Sequence, residues 1–153
     1  MEFIIHEVAE QLRAIISRVE PELSRWSDSE VERKPAPEEW SKKEILGHLI
    51  DSAANNHQRF VRAVYSEAGQ FPTYNQTEWV RIQRCNERPW VSLVALWAAY
   101  NEHLCHVIEC IPEDAASSPC HIGEEKPARL DFVVKDYFVH LLLHLKDILG
   151  EEL

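Results

Sequence analysis

Glycine is scarce in this chain, with four residues in 153, and proline stands at only eight positions. Many short strands joined by tight turns would need more of both, so long helices fit the composition better. No stretch is of low complexity. The four cysteines, Cys85, Cys105, Cys110 and Cys120, form no C-x-x-C pair and show no repeated spacing. Reduced thiols in a cytoplasmic protein are the default reading. Basic residues number 16 against 26 acidic ones, a formal net charge of −10, and they are scattered. Neutralising phosphates needs clustered Lys and Arg, so neither nucleic acid nor an anionic membrane surface is an expected partner. No apolar run approaches the ~20 residues that span a bilayer. The N-terminal MEFIIHEVAEQL is charged from position 2 and lacks the apolar core of a signal peptide.

What is present is ordinary for a globular protein: 45% hydrophobic and 27% charged residues. The length suits one domain, residues 1–153, around one core. At roughly 100° per residue, the apolar residues fall into four helical faces. Ile4, Ile5, Val8, Leu12, Ile15, Ile16, Val19, Leu23 and Trp26 share the first, with a kink or restart expected at Pro21. Ser41 and Glu44 form a capping box for the second, whose face carries Ile45, Leu46, Leu49, Ile50, Ala53, Phe60, Val61 and Val64 to about Tyr65. About 25 residues follow, SEAGQFPTYNQTEWVRIQRCNERPW, long enough to be functional or to hold a short helix within QTEWVRIQRCNE. The third helix starts near Ser92, carries Leu93, Leu96, Trp97, Tyr100, Leu104, Val107, Ile108 and Ile111, and stops at Pro112. The fourth runs from Asp131 to Leu149 and ends at Gly150. Apolar residues surround it nearly completely, which predicts a position in the middle of a bundle. No segment alternates as a strand does. The expected fold is all-α, a four-helix bundle with a long crossover between the second and third helices.

Eight histidines are candidates for chemistry. His6, His106 and His121 fall off the apolar faces or in a loop and read as solvated. His103 lies at the margin of the third face, and His57 lies inside the second as a hydrogen-bonded core residue. His48 borders the second face, on a polar stripe with Ser52, Asn55 and Arg59 that could line a pocket. His140 and His144, in FVHLLLHLKDIL, stand four apart on one helical face, within reach of one ion. Imidazole suits zinc, nickel, copper or iron(II). Asp136 and Asp147, about one turn to either side, could orient the rings. Spacing alone leaves a metal pair and a hydrogen-bonded core pair evenly matched.

The stretches EEWSKKEILGHLIDSAANNHQRF and FVHLLLHLKDIL together resemble the DinB/YfiT-like family of bacterial four-helix metalloproteins. The shared features are Trp40-Ser41 opening the second helix, His48-Leu49, and the late pair His140 and His144. VERKPAPEEW and FPTYNQTEWV look similar as well, so the likeness covers most of the chain. The resemblance implies a three-histidine site, His48, His140 and His144, for a divalent ion. Zinc or nickel come first, with iron and manganese as further candidates. Three protein ligands leave a coordination position open, as in catalytic zinc sites.

Since the family includes bacillithiol and mycothiol S-transferases and maleylpyruvate isomerase, the resemblance implies a metal-dependent low-molecular-weight-thiol S-transferase of detoxification or stress response. Its partners would be a small-molecule thiol and an electrophile. Asn55 and Arg59 are the residues expected to orient the cosubstrate. One alternative is a metal-dependent hydrolase with Asp51, Glu102 or Asp136 as base. Another is a stress protein that binds a metal or small molecule without turnover. The family habit of pairing implies a homodimer, with Phe71, Tyr74 and Trp79 expected as exposed aromatics of the middle connection.

Overall fold

A computed structural model of the chain describes residues 5–66 and 69–153, so Ile4 lies outside the described residues. The elements in chain order are α1 (Ile5–Leu23), α2 (Asp28–Val31), α3 (Lys42–Tyr65), β1 (Gln70–Phe71), α4 (Gln76–Gln83), α5 (Trp90–Glu109), β2 (Pro119–Ile122), β3 (Ala128–Arg129) and α6 (Leu130–Leu149). The long helices α1, α3, α5 and α6 form the four-helix bundle. Both α1 and α3 pack against α5 and α6, which places α1 and α3 at opposite corners. The bundle core is apolar, with Leu12, Ile16, Leu46, Phe60, Trp97, Leu104, Ile108 and Leu141 essentially inaccessible to solvent.

Pro21 lies within α1, and the helix ends two residues later at Leu23. The start of α3 is fixed locally. Ser41 Oγ accepts the Glu44 amide at 3.2 Å, and Glu44 Oε1 accepts the Ser41 amide at 3.1 Å. Such a cap is worth about 1 kcal/mol. Lys42 Nζ then donates to the Ile148 carbonyl at 2.7 Å, joining the start of α3 to the end of α6. That contact, with the two helices antiparallel, holds the His48 turn opposite the His140–His144 turn. Gly150, in the left-handed region at φ 78°, closes α6.

Several expectations need correction. Residues encircling α6 are not all covered: Phe132, Val139 and Leu143 face solvent, so α6 is a corner helix with one open apolar side. Val61, Val64 and Leu96 are likewise exposed rather than in the core. Strands do occur. β1 pairs in parallel with β2 (Gln70 with His121, Phe71 with Ile122), and β2 pairs antiparallel with β3 (Pro119 with Arg129, Cys120 with Ala128). Gly69 makes the first pairing possible, because a Cβ there would sit 2.2 Å from the Pro119 carbonyl oxygen. This small sheet packs on α3 and α6 at one end of the groove between them. The middle connection carries α4, as QTEWVRIQ foreshadows, and a short 3-10 turn at Cys85–Glu87. Of its aromatics, Phe71 is buried and Tyr74 half-buried, leaving Trp79 exposed.

Gly47, beside His48, is needed for close approach. A Cβ at this position would lie 2.4 Å from Cys85 Sγ. Gly47→Ala gains about 1 kcal/mol of helix propensity but overpacks a buried thiol, at a cost of about 1–3 kcal/mol. The expected outcome is net destabilisation in urea unfolding, reversed in the double variant Gly47→Ala/Cys85→Ala. A single variant at least as stable as the wild type would contradict this packing.

Candidate metal centre and adjoining cavity

His48 projects from the second turn of α3 and is wholly buried, while His140 and His144 come from successive turns of α6 and are half-buried. One ligand nitrogen from each falls within 4.8 Å of the others. His48 Nε2 and His140 Nε2 are 3.1 Å apart. Two nitrogens each about 2.0–2.1 Å from one zinc-like ion lie roughly 3–3.4 Å from one another, so the spacing fits shared coordination. The rings meet edge to face, with centroids 4.5–5.0 Å apart. Trp40 packs on His48 at 5.1 Å between centroids.

Two buried nitrogens, His48 Nδ1 and His144 Nδ1, have no hydrogen-bond partner. His144 Nδ1 does lie 3.3 Å from Asp147 Oδ2, a near contact without hydrogen-bond alignment. An N–H···N bond between His48 Nε2 and His140 Nε2 satisfies those two atoms but leaves His48 Nδ1 and His144 Nδ1 unpaired. A hydrogen-bonded core is therefore incomplete, and unpaired buried polar groups cost on the order of 1–3 kcal/mol each. A divalent ion on the facing nitrogens would engage all three rings at once, which no single N–H···N bond can do. Protonation supports the same donor set. Burial, then the neighbouring His140 and His144, push His48 down to about 4. Burial and His144 lower His140 too. Neutral imidazoles are the ligand form.

His140 also lines a cavity of about 350 Å³ bounded by α3, α6, the residues before and at the start of α4, and the β2–β3 hairpin. Ser52, Asn56 and Arg59 contribute its α3 wall, Tyr74 and Gln76 the connection, Cys120, Ile122 and Lys126 the hairpin, and Phe132, Asp136 and Tyr137 the α6 wall. Tyr137 is anchored by donating to Asn101 Oδ1 at 2.5 Å. Arg59 thus reaches the cavity as the stripe anticipated. Asn55 does not: it lines a neighbouring groove with Arg59, and its amide donates to the Asp51 carbonyl of its own helix at 2.9 Å. One residue is 100° on a helix, and the asparagine facing the cavity is Asn56. Its adjacency to Asn55 in the stripe was the one signal available.

Among the carboxylates considered as bases, Asp136 alone lines the cavity. Asp51 is buried and accepts from Gln83 Nε2 at 2.8 Å, with burial raising its pKa. Glu102 is exposed on α5. The chain's own thiols are poorly suited to attack. Burial pushes Cys85 and Cys105 up to about 11 and raises Cys120 as well. Cys110, the exposed one, ends α5 outside the cavity. His57 Nδ1 pairs with the Tyr100 hydroxyl at 2.9 Å, as a hydrogen-bonded histidine should. His6, His103 and His106 are exposed, and His121 is half-buried in β2 rather than in a loop.

A four-helix bundle with three converging histidines from two antiparallel helices defines a class of metal-binding helical proteins. More particularly, the chain belongs to the DinB superfamily, whose family model matches residues 11–148. A protein of Oceanobacillus iheyensis, provisionally named a metal-dependent hydrolase, is 24% identical over 100 residues, 65% of this chain. The match spans little more than half of that relative, 57% of its length. Among solved structures, YfiT from Bacillus subtilis superposes with a TM-score of 0.80 at 16% identity, covering 95% of this chain and 82% of YfiT. YfiT is described as a probable metal-dependent hydrolase with an unusual four-helix bundle topology. A mycothiol-dependent maleylpyruvate isomerase superposes with a TM-score of 0.76 at 15% identity, over 95% of this chain and 60% of the isomerase. At these identities the likeness establishes the fold. Among the described residues, no helix is long and apolar enough to cross a membrane.

Proposed function

We propose that the chain is a metal-dependent transferase of low-molecular-weight thiols, with His48, His140 and His144 as the metal ligands. The observation that carries this reading is the convergence of three imidazoles beside a cavity that His140 itself lines. A bound divalent ion, zinc or nickel before iron or manganese, would supply Lewis acidity that lowers the pKa of a thiol or water in the site. The three histidines would hold the ion while leaving room for a further ligand. Trp40 packs against the His48 ring. Tyr74, Ser52 and Asn56 offer hydroxyl and amide groups to orient a cosubstrate in the cavity, and Phe132 and Ile122 add apolar walls. Because Cys120, the thiol lining the cavity, is buried and held protonated, the nucleophile arrives with the substrate. Residues 1–153 act as one domain in this reading. The protein works in the cytoplasm, where thiols stay reduced, and two copies pair as a homodimer.

Hydrolysis is the second reading, favoured by Asp136, an exposed carboxylate one turn before His140 that shares its cavity. It could accept a proton from attacking water. One assay separates the two. Metal-loaded protein is offered several bacterial thiols with a chromogenic electrophile, and in parallel ester, amide and phosphoester substrates without thiol. Metal-dependent conjugation requiring a thiol is the expected result. Turnover of the hydrolytic substrates with no thiol added, and no conjugation, would replace the transferase by the hydrolase.

A further inference from the structure

Resting on the reading of the cavity as the substrate site, the geometry points to a carboxylate-recognition subsite at Arg59, and we infer that the molecule converted at the histidines is an elongated carboxylate. Arg59 lies eleven residues beyond His48 on α3, about 16 Å along the axis at ~1.5 Å per residue. Helical side chains lean toward the helix N-terminus, and His48 and Arg59 both do so, the longer arginine only slightly more. The separation between the imidazoles and this cation is then on the order of 10–15 Å. His140 and Arg59 line the same cavity, so one molecule can touch both ends.

The arginine is short of a partner. It is half-buried, yet it makes no hydrogen bond or ion pair among the described residues; Tyr74, Cys120 and Asp136 act on it only at longer range, and burial disfavours its charge. A desolvated guanidinium without a counter-ion is costly, and an anion in the cavity offsets that cost. A planar fork of donors matches a carboxylate bidentately. Lys126 adds a second cation from the hairpin, but Glu125 and Asp136 line the cavity too. Two fixed carboxylates disfavour a phosphate dianion more than a single carboxylate. The apolar side chains of Ile122 and Phe132 suit a hydrocarbon link between the carboxylate and the reacting end.

The test is calorimetric and needs no turnover. Metal-loaded protein is titrated with 3-mercaptopropionic, 6-mercaptohexanoic and 8-mercaptooctanoic acids, with their methyl esters, and with octanoic acid. For the longer acids the wild type should prefer acid over ester by about tenfold or more, as expected of a charge-assisted pair. The shortest acid should show no such preference. In Arg59→Met the preference should fall to near one with ester affinity unchanged, and Arg59→Lys should keep part of it. Equal binding of long acid and ester by the wild type, a comparison that needs no variant, would overturn the inference. So would an acid preference that survives in folded Arg59→Met. The octanoic acid arm tells whether the carboxylate belongs to the thiol or to its co-reactant. If octanoic acid matches 8-mercaptooctanoic acid with and without metal while depending on Arg59, the subsite stands and the thiol reading fails.

Discussion

His48→Ala is expected to empty the metal site. Elemental analysis of wild-type protein should read about one divalent ion per chain, and the variant close to none. The magnitude follows from sharing a binding energy of roughly 10–16 kcal/mol among four ligands. Each ligand then stands for about 3 kcal/mol, or on the order of a hundredfold in affinity. His48 should sit at the upper end, because it is the one fully buried member and its Nε2 lies 3.1 Å from His140 Nε2. The double variant His140→Ala/His144→Ala removes the α6 half and should behave the same. Full occupancy in either variant would exclude the triad. Circular dichroism must show the helices intact, and the expectation is that it will, since the Lys42–Ile148 and Ser41–Glu44 contacts that set the register of α3 are untouched.

The second large effect is on stability in acid. In metal-free protein His48 stays neutral down to about 4, whereas in the unfolded chain it protonates near 6.5. Below 6.5 the unfolded state therefore binds the extra proton, and stability declines as pH falls from 6.5 to 4. Above 6.5 this contribution is fully present. The gap, at about 1.4 kcal/mol per pH unit, amounts to roughly 3 kcal/mol. His140, lowered for the same reason, acts in the same direction. Urea unfolding at pH 7.0 and 4.5 checks this, with His48→Phe as the reference for everything else that titrates. The wild type should lose more stability than His48→Phe over that interval. Equal losses would mean that His48 is protonated in the fold.

Much of the frame was legible because it is local. The Ser41–Glu44 capping box is written within four residues, and Gly150 marks the end of α6. The pair His140 and His144 shares a face by spacing alone. His48 was different: its register opposite α6 depends on a contact between residues 106 apart, Lys42 to Ile148, and only the resemblance carried by Trp40-Ser41 and His48-Leu49 pointed to it. What misled was periodicity used to infer cover. Apolar Phe132, Val139 and Leu143 show that a helix face is hydrophobic, not that a neighbour packs on it. Asn55 and Asn56 show the same limit at one residue's resolution, since a stripe drawn within 50° cannot choose between them. Strands of two and four residues offer too little alternation to detect, so the hairpin that supplies Cys120, Ile122 and Lys126 to the cavity was invisible.

The central claim is a three-histidine metal site with a position open to a substrate thiol. Cobalt(II) in place of the native ion tests it most directly. Titrating cobalt-loaded protein with a small thiol should raise a thiolate-to-metal charge-transfer band in the near ultraviolet, saturating at one equivalent and absent in His48→Ala. A cobalt spectrum that excess thiol leaves unchanged would contradict the account.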